Sequence, residues 1–565
     1  MKKASKRTRI ALACAALLAT AAGLVKAVYI SLDIDESYLV ACAYRIASGD
    51  RIFSEMWEPH QLASLIPSLF VRVWMALAGT TEGLVLFLRV WSVLIHVAVG
   101  AALYRFLTRR TRKSVAFVLL LLHLNFLPKW VQSLDFELMS YWAVLGCCLI
   151  LFSACEKPSR GTLPCFAAGV LLLVSMLSYP TLILLYPVYL AGILLVSDRS
   201  VRISKAVCFT LGALLPGLFV LALICRSVPS GGFFAGILRV FANPSHATQP
   251  FFRRMAEYAL DGGKALLLWG GIVLTVHALC RMLRRGMEPL PLPFSMLIAF
   301  FILQAVMIAG CVFFDRNQFF LQGRYAAILL PGLLLSVRKK GVRSGLLWFA
   351  FLPGIFSVLS VLTVTNMNAG TAWSKAMPAV LASVYVLLTQ YPEEDRGVMS
   401  RASLAAALAL LAGLFLCRLG LIRVTGCLPV TIHADFAKVT HGPARGLYLT
   451  RPFAEAADRE YEALQGLYGP ETRVLYVGAE MLLYLDCPCV IASPSVEGTT
   501  IYDSYFLTYY EAHPERLPEI VVYDRHYSEF PEYARYPQEY IIDEWISQHY
   551  RTLLLETPDL LVYGS

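Results

Sequence analysis

Long apolar blocks separated by short polar loops run through most of this chain, at 10–30, 84–106, 114–128, 136–154, 162–178, 181–196, 206–225, 264–281, 291–313, 325–337, 344–366, 376–390 and 402–420. Most approach the roughly 17–25 residues that carry a helix across a bilayer. Backbone polar groups in lipid must be paired within the segment, so the blocks read as membrane helices. From 421 to 565 the pattern changes to short β-rich runs, at 473–478, 490–492, 519–523 and 560–563, with helical stretches at 452–467 and 479–485 between them. Strands alternating with helices predict a small α/β domain.

Charge sets the threading. Lys2, Lys3, Lys6, Arg7 and Arg9 hold the N-terminus in the cytoplasm, which puts the first loop outside. A further apolar stretch, 62–79, precedes the block at 84–106. If both crossed, Arg105, Arg109, Arg110, Arg112 and Lys113 would be carried outside, against the charge rule. The stretch 62–79 is therefore expected to lie along the outer interface. About thirteen crossings follow, with an outer C-terminus. The predicted fold is an all-α polytopic membrane protein with a small α/β domain outside: a membrane domain over 1–420, whose first outer loop is 31–83, and a soluble domain over 421–565.

Composition agrees: 58% of the 565 residues are hydrophobic and 16% charged. The formal net charge of +10 sits mainly in inner loops and includes no basic–aromatic surface of the kind that binds nucleic acid. Most of the 14 cysteines fall in apolar blocks as small core residues. Cys427, Cys487 and Cys489 are the exceptions, and the first could pair with one of the other two if that region is oxidised. The N-terminal apolar run is too long for a signal peptide and reads as an anchor.

The chemistry is expected in the first outer loop. It opens Asp33-Ile34-Asp35-Glu36-Ser37-Tyr38 and continues as a helix with Leu39, Cys42, Ala43 and Ile46 on one face. Asp35 and Glu36 fall at its N-terminus, where the dipole favours carboxylates. The plainest reading is a capped helix in a solvated acidic loop. Against it stand the crowd of carboxylates, which includes Asp50, Glu55 and Glu58, and the nearby Trp57, His60 and Trp74. Asp33 and Asp35 have a spacing that also offers oxygen ligands to a divalent cation.

The order of an acidic pair, Gly49-Asp50, Trp57-Glu58-Pro59-His60, an interfacial helix and Phe87-Leu88-Arg89-Val90 resembles the GT-C glycosyltransferases. The nearest branch holds the protein O-mannosyltransferases and the lipid A aminoarabinose transferases. Ser133-Leu134-Asp135 and Gln322-Gly323-Arg324-Tyr325, with Pro331, extend the likeness. Ser178-Tyr179-Pro180 departs from it, standing where many relatives have a Thr-Lys pair.

The resemblance implies a polyprenyl-phosphate sugar donor and a glycan, lipid or protein acceptor. Asp35, supported by Glu36, would be general base in an inverting displacement at the outer face of the cell membrane. It implies no required cofactor and does not favour a metal at Asp33 and Asp35. Substrate-binding candidates are Arg89, Asp135, Arg324, Tyr325, Glu58 and His60. The leaving phosphate needs charge stabilisation, for which Arg89 leads the outer cations Arg226, Arg239, Arg253, Arg254, Arg316 and Arg324. A structural ion pair is the competing reading of Arg89. Two other functions remain open: a flippase of lipid-linked glycans, and a catalytically silent glycan-binding protein of the same fold.

Overall fold

The computed structural model describes residues 6–565 except 127, 129–130, 157–160, 229–231, 242–250, 284–290, 314–323, 341–343, 363–371, 391–395, 421–434, 479, 498–504 and 526–540. Cys427 with its expected pairing, Arg316 and Gln322-Gly323 fall outside the described residues.

The N-terminal part is a bundle of apolar helices: α1 (Lys6–Tyr29), α4 (Leu84–Thr108), α5 (Lys113–Asn125), α6 (Phe136–Glu156), α7 (Leu163–Ser178), α8 (Leu185–Val196), α9 (Arg202–Ser227), α11 (Phe251–Leu283), α12 (Leu292–Phe313), α13 (Arg324–Lys340), α14 (Leu352–Leu362), α15 (Met377–Thr389) and α16 (Arg396–Gly420). Between α1 and α4 lie α2 (Ile34–Ser48) and α3 (Leu65–Ala78), and α10 (Gly232–Phe241) precedes α11. Six helices among the described residues are long and apolar enough to cross a membrane, and shorter apolar helices accompany them. The chain is a multi-pass membrane protein.

Prolines trim several predicted helices. A 3-10 turn, Pro180–Leu184, leads into α8. A π turn, Leu347–Phe351, leads into α14, where Pro353 has no N–H for the preceding turn. The expected long outer loop at 226–263 is largely helical, because α10 and the start of α11 occupy much of it. The interior of the bundle is α6, whose apolar window is 72% buried, whereas α11 at 11% sits on the periphery with Leu266, Leu267 and Leu268 outward. Gly169 of α7 and Gly212 of α9 face the backbone of the opposite helix so closely that a Cβ at either would strike a carbonyl oxygen. Small residues of this kind let membrane helices pack backbone to backbone.

The loop between α1 and α4 is folded rather than merely solvated. Asp33 caps α2, its Oδ1 accepting from the Asp35 N–H at 3.0 Å. Gly49, at φ 113°, ends the helix by returning its N–H to the carbonyls of Arg45 and Ile46. The stretch expected along the interface forms α3, with Leu69, Val73 and Leu77 exposed and Val71 buried.

The C-terminal part carries a hairpin of β1 (Phe436–Lys438) and β2 (Tyr448–Thr450). Beyond it is a five-stranded sheet of β3 (Arg473–Val477), β4 (Val490–Ile491), β5 (Ile520–Asp524), β6 (Thr552–Glu556) and β7 (Leu560–Gly564). The order is β4-β3-β5-β7-β6, with β3 parallel to β4 and β5 and the β7 pairings antiparallel. Helices α17 (Arg451–Leu464), α18 (Tyr505–Ala512) and α19 (Ile541–His549) accompany it. The expected helix at 479–485 is a 3-10 turn, Met481–Leu485, capped by Glu480.

This domain docks on the loop between α1 and α4 and on the start of α4. Gly83 and Val85 donate to the carbonyls of Gly442 and Pro443 at 3.0 and 3.1 Å, Ser31 to Tyr448, and Trp57 to Pro494. The Trp57 indole is buried in the domain's own core, edge-on to Tyr509 at 5.2 Å.

Candidate active site

The residues singled out in the sequence divide into a pocket, a brace and a joint. The pocket gathers the N-terminus of α6, His60 of the loop after α2 and the turn between α7 and α8. Asp35 is partly exposed at the start of α2, while its neighbours Asp33 and Glu36 are buried. His60 comes in from the loop, stacked on Phe136 at 4.4 Å and edge-on to Tyr179 at 5.8 Å; its backbone N–H donates to Tyr38 Oη at 3.3 Å. Asp135 caps α6, with Oδ1 accepting from the Leu138 N–H at 2.8 Å and Oδ2 from Ser133 Oγ at 2.5 Å.

Glu137 is buried, and its carboxylate meets Tyr179 and Lys375. The Tyr179 hydroxyl donates to its Oε1 at 2.5 Å, and Lys375 Nζ lies 2.5 Å from its Oε2. Lys375 also donates to Ser140 Oγ at 3.2 Å and stands 4.1 Å over the Tyr179 ring. Burial first, then the charges of Glu137, Asp35 and Asp135, keeps the Tyr179 phenol well above its ordinary value. The three carboxylates thus converge electrically on one tyrosine. A small cavity opens beside the cluster, with Glu137, Ser140, Tyr141, Phe126, Leu182 and Lys375 among its walls.

The brace is Arg89. Fully buried in α4, it reaches Glu36 through Nε at 2.8 Å and Nη2 at 2.5 Å. It also donates to the carbonyls of Val28 at 2.8 Å and Ser31 at 2.7 Å. This is the structural ion pair that competed with the substrate reading of Arg89.

Glu58 belongs to the joint between the domains. Its carboxylate accepts from Ser495 Oγ at 2.6 Å and the Val496 N–H at 2.7 Å, and lies 3.4 Å from Arg45 Nη1. Burial outweighs these partners and holds its carboxyl above the ordinary value. Arg45 further binds Asp50 at 2.8 Å, which meets Arg516 of the C-terminal domain at 2.9 Å.

Arg324 and Tyr325 start α13. Arg324 is buried and, among the described residues, meets no carboxylate; it donates to Cys417 Sγ at 3.7 Å and Tyr325 Oη at 3.5 Å. Tyr325 packs edge-on against Phe126 at 6.0 Å, and Phe126 against Tyr141 at 4.7 Å, so Arg324 stands behind the aromatic wall of the cavity. Of the loop arginines, Arg253 is exposed and faces Glu257 at 3.3 Å. His96 and His123 are packed, stacked 4.3 Å apart. Among the described residues no three His, Cys, Asp or Glu side chains gather as a metal site.

Sequence reasoning passed over Lys375. The signal was present: a lone lysine in Ala372-Trp373-Ser374-Lys375-Ala376-Met377 at the mouth of an apolar block. A charge at such a position needs a partner, but the partner, Glu137, is more than two hundred residues away.

No protein-family model matches the chain. Nor does any curated protein match it. Among solved structures, the chain is similar to ArnT from Cupriavidus metallidurans bound to undecaprenyl phosphate, at 13% identity and TM-score 0.52 over 99% of this chain and 98% of that one. It is also similar to the archaeal oligosaccharyltransferase AglB from Archaeoglobus fulgidus, in complex with an inhibitory peptide and a dolichol-phosphate. There the identity is 14% and the TM-score 0.46, over 92% of this chain and 70% of that one. The chain has the GT-C fold.

Proposed function

We propose that this protein is a membrane glycosyltransferase that moves a sugar from a polyprenyl-phosphate donor to a glycan, lipid or protein acceptor at the outer face of the membrane. The observation that carries the reading is Asp35. It is a partly exposed carboxylate at a helix N-terminus whose charge, with those of Glu137 and Asp135, bears on Tyr179, beside His60 and Lys375, on a GT-C fold. ArnT, which shares the fold, was solved with undecaprenyl phosphate bound.

In this reading Asp35 takes the proton of the acceptor nucleophile as it attacks the anomeric carbon, and the anomeric centre inverts. Glu36 contributes through Arg89, which fixes the first turn of α2 and so the direction of Asp35. Arg324 is the candidate cation for the departing phosphate, with Tyr325 beside it. Asp135 and His60 face the acceptor side, while Glu58 holds the loop. Asp33 caps the helix through Oδ1, and the reading asks for no metal ion at the Asp33–Asp35 pair.

The proposed topology has thirteen crossings and a cytoplasmic N-terminus, with the domain at 421–565 outside. Its support is geometric: the ends of α1, α4, α6 and α7 that meet at the pocket and joint share one face of the bundle, as alternating crossings require.

The test is sugar transfer by the full-length protein in membranes loaded with polyprenyl-phosphate sugars. Asp35→Asn is expected to lower the rate by about 10²–10⁴-fold. Wild-type transfer by the variant would remove Asp35 as base. Lipid translocation by the wild type with no transfer would favour a flippase, and glycan binding alone a silent member of the fold.

A further inference from the structure

Two helices long and apolar enough to cross the membrane fix the height of the β1–β2 hairpin. The span of α1 ends at Tyr29, and that of α4 begins at Leu84. Ile30 is bridged to Tyr448 of β2, and the Ser31 N–H donates to the Tyr448 carbonyl at 2.9 Å. Gly83 and Val85 hold Gly442 and Pro443, in the loop that joins the two strands. An extended chain rises roughly 3.3 Å per residue, so Ser31 stands within roughly 7 Å of the end of the α1 span. The headgroup layer is roughly 5–8 Å deep on each side of the hydrocarbon core. The hairpin therefore lies at the level of the headgroups.

Register decides which side chains face outward. Lys438 pairs with Tyr448 and Phe436 with Thr450, and residues paired across a ladder share one face of the pleat. Ile30, bridged to Tyr448 on its other side, joins that face. The opposite face carries Ala437 and Leu449, of which Leu449 is buried. Tyr448 is 41% exposed, Lys438 is exposed, and Phe436 and Ile30 are partly so. A single exposed aromatic is ordinary on a protein surface. Tyr448 instead continues a stripe, because Leu18, Val25 and Tyr29 are exposed along α1 at a spacing that keeps them on one side of the helix.

We infer that the Ile30–Tyr448–Lys438 face of the hairpin is a lipid-docking surface, which seats the C-terminal domain on the phospholipid headgroups around α1. A tyrosine places its ring at the acyl boundary and its hydroxyl among the headgroups. A lysine lays its stem on apolar surface and carries its ammonium to a lipid phosphate. Tyr448 and Lys438 present the two side by side, directly above the outward stripe of α1. The domain thus gains a hold on the membrane besides its contacts with Trp57 and Glu58. This docking depends on α1 and α4 crossing the bilayer, and not on sugar transfer.

The experiment uses the full-length protein in phosphatidylglycerol nanodiscs that contain a phospholipid with a diazirine high on its acyl chain. After photolysis, mass spectrometry is expected to find lipid adducts on Tyr448 and its strand neighbours, together with adducts on the outward stripe of α1. A labelled α1 beside an unlabelled hairpin would overturn the docking. Tyr448→Asp is expected to lower the hairpin adducts several-fold and leave those on α1 unchanged, since the side chain is exposed and a carboxylate is repelled by the anionic headgroups. Should that variant fail to fold, Lys438→Glu places the same charge on the same face and is expected to act alike. Hairpin adducts that neither substitution reduces would mean that another face meets the lipid. Cross-links from Lys438 of one copy to Lys438 of another, in place of lipid adducts, would assign the face to a second copy of the chain and overturn the lipid assignment.

Discussion

At the scale of the residue, Arg89 shows how a buried cation is spent. A guanidinium has five N–H donors in a fixed fork, and here the fork meets both oxygens of Glu36 while the remaining side reaches the carbonyls of Val28 and Ser31. Val28 lies in the last turn of α1, whose carbonyls have no partner within the helix. One side chain therefore ties the end of α1 to the beginning of α2. Arg89→Gln would leave Glu36 buried without its cation, and the expected loss is about 3–5 kcal/mol of stability. The double variant Arg89→Gln with Glu36→Gln should recover a large part of it, because no lone charge remains. Thermal unfolding in detergent of the wild type, both singles and the double completes the cycle. Additive losses would mean that the two residues do not act as a pair.

At the scale of the element, α2 is aimed by its two ends. Arg89 holds the first turn through Glu36. Near the other end Arg45 binds Asp50, the Glu55 carbonyl and Glu58, and Glu58 reaches Ser495 and Val496 in the C-terminal domain. Glu58→Ala would leave the buried Val496 N–H and one face of Arg45 unpartnered, at about 1–3 kcal/mol for the unsatisfied group. Limited proteolysis should then cut the 49–64 loop faster than in wild type. Equal cleavage rates would remove Glu58 from the joint.

Helix α2 was legible in the sequence because its signals are local: an aspartate cap, two acidic residues in the first turn and a terminal glycine. The strands β3, β4, β5 and β7 were legible as runs of β-branched and apolar residues. By contrast, β6 escaped, since Leu553 and Leu554 on this edge strand are exposed and show no alternation. Glu58 was noticed for its charge, but its job was hidden, because Ser495 and Val496 are over four hundred positions away. Lys375 was lost for the same reason.

At the scale of the whole molecule, the contact between the membrane bundle and the C-terminal domain is expected to respond to pH. Glu480 caps the 3-10 turn that rests on α2. Burial, reinforced by Asp524 and Glu36, raises its carboxyl from 4.5 to about 7, while the Leu482 N–H and Ser37 pull the other way. Glu460 and Asp486 face it within its own domain, and Arg89 compensates Glu36 on the other side. A carboxyl whose folded value lies above its unfolded one binds a proton in the folded state that the unfolded state has released. Stability contributed by that proton is whole below about 4.5 and falls as pH rises through about 7.

Glu460, raised to about 9 by burial and its acidic neighbours, extends the decline beyond Glu480. Glu55 works in the opposite sense. Burial alone would raise it, but Arg51 and Arg516 hold it at about 2, so its stabilisation is complete above 4.5 and lost only as pH falls toward 2. Between pH 5 and 8 the raised carboxyls therefore decide the slope, and the docked domain should loosen as pH increases. Hydrogen exchange at residues 481–485 in the detergent-solubilised protein should accelerate over this range beyond the intrinsic rate. Glu480→Gln cannot ionise, so it should lower the slope below about pH 7 by the share of Glu480 and leave the share of Glu460 and Asp486, which runs on above pH 7. An unchanged slope in Glu480→Gln would mean that the junction answers to another group.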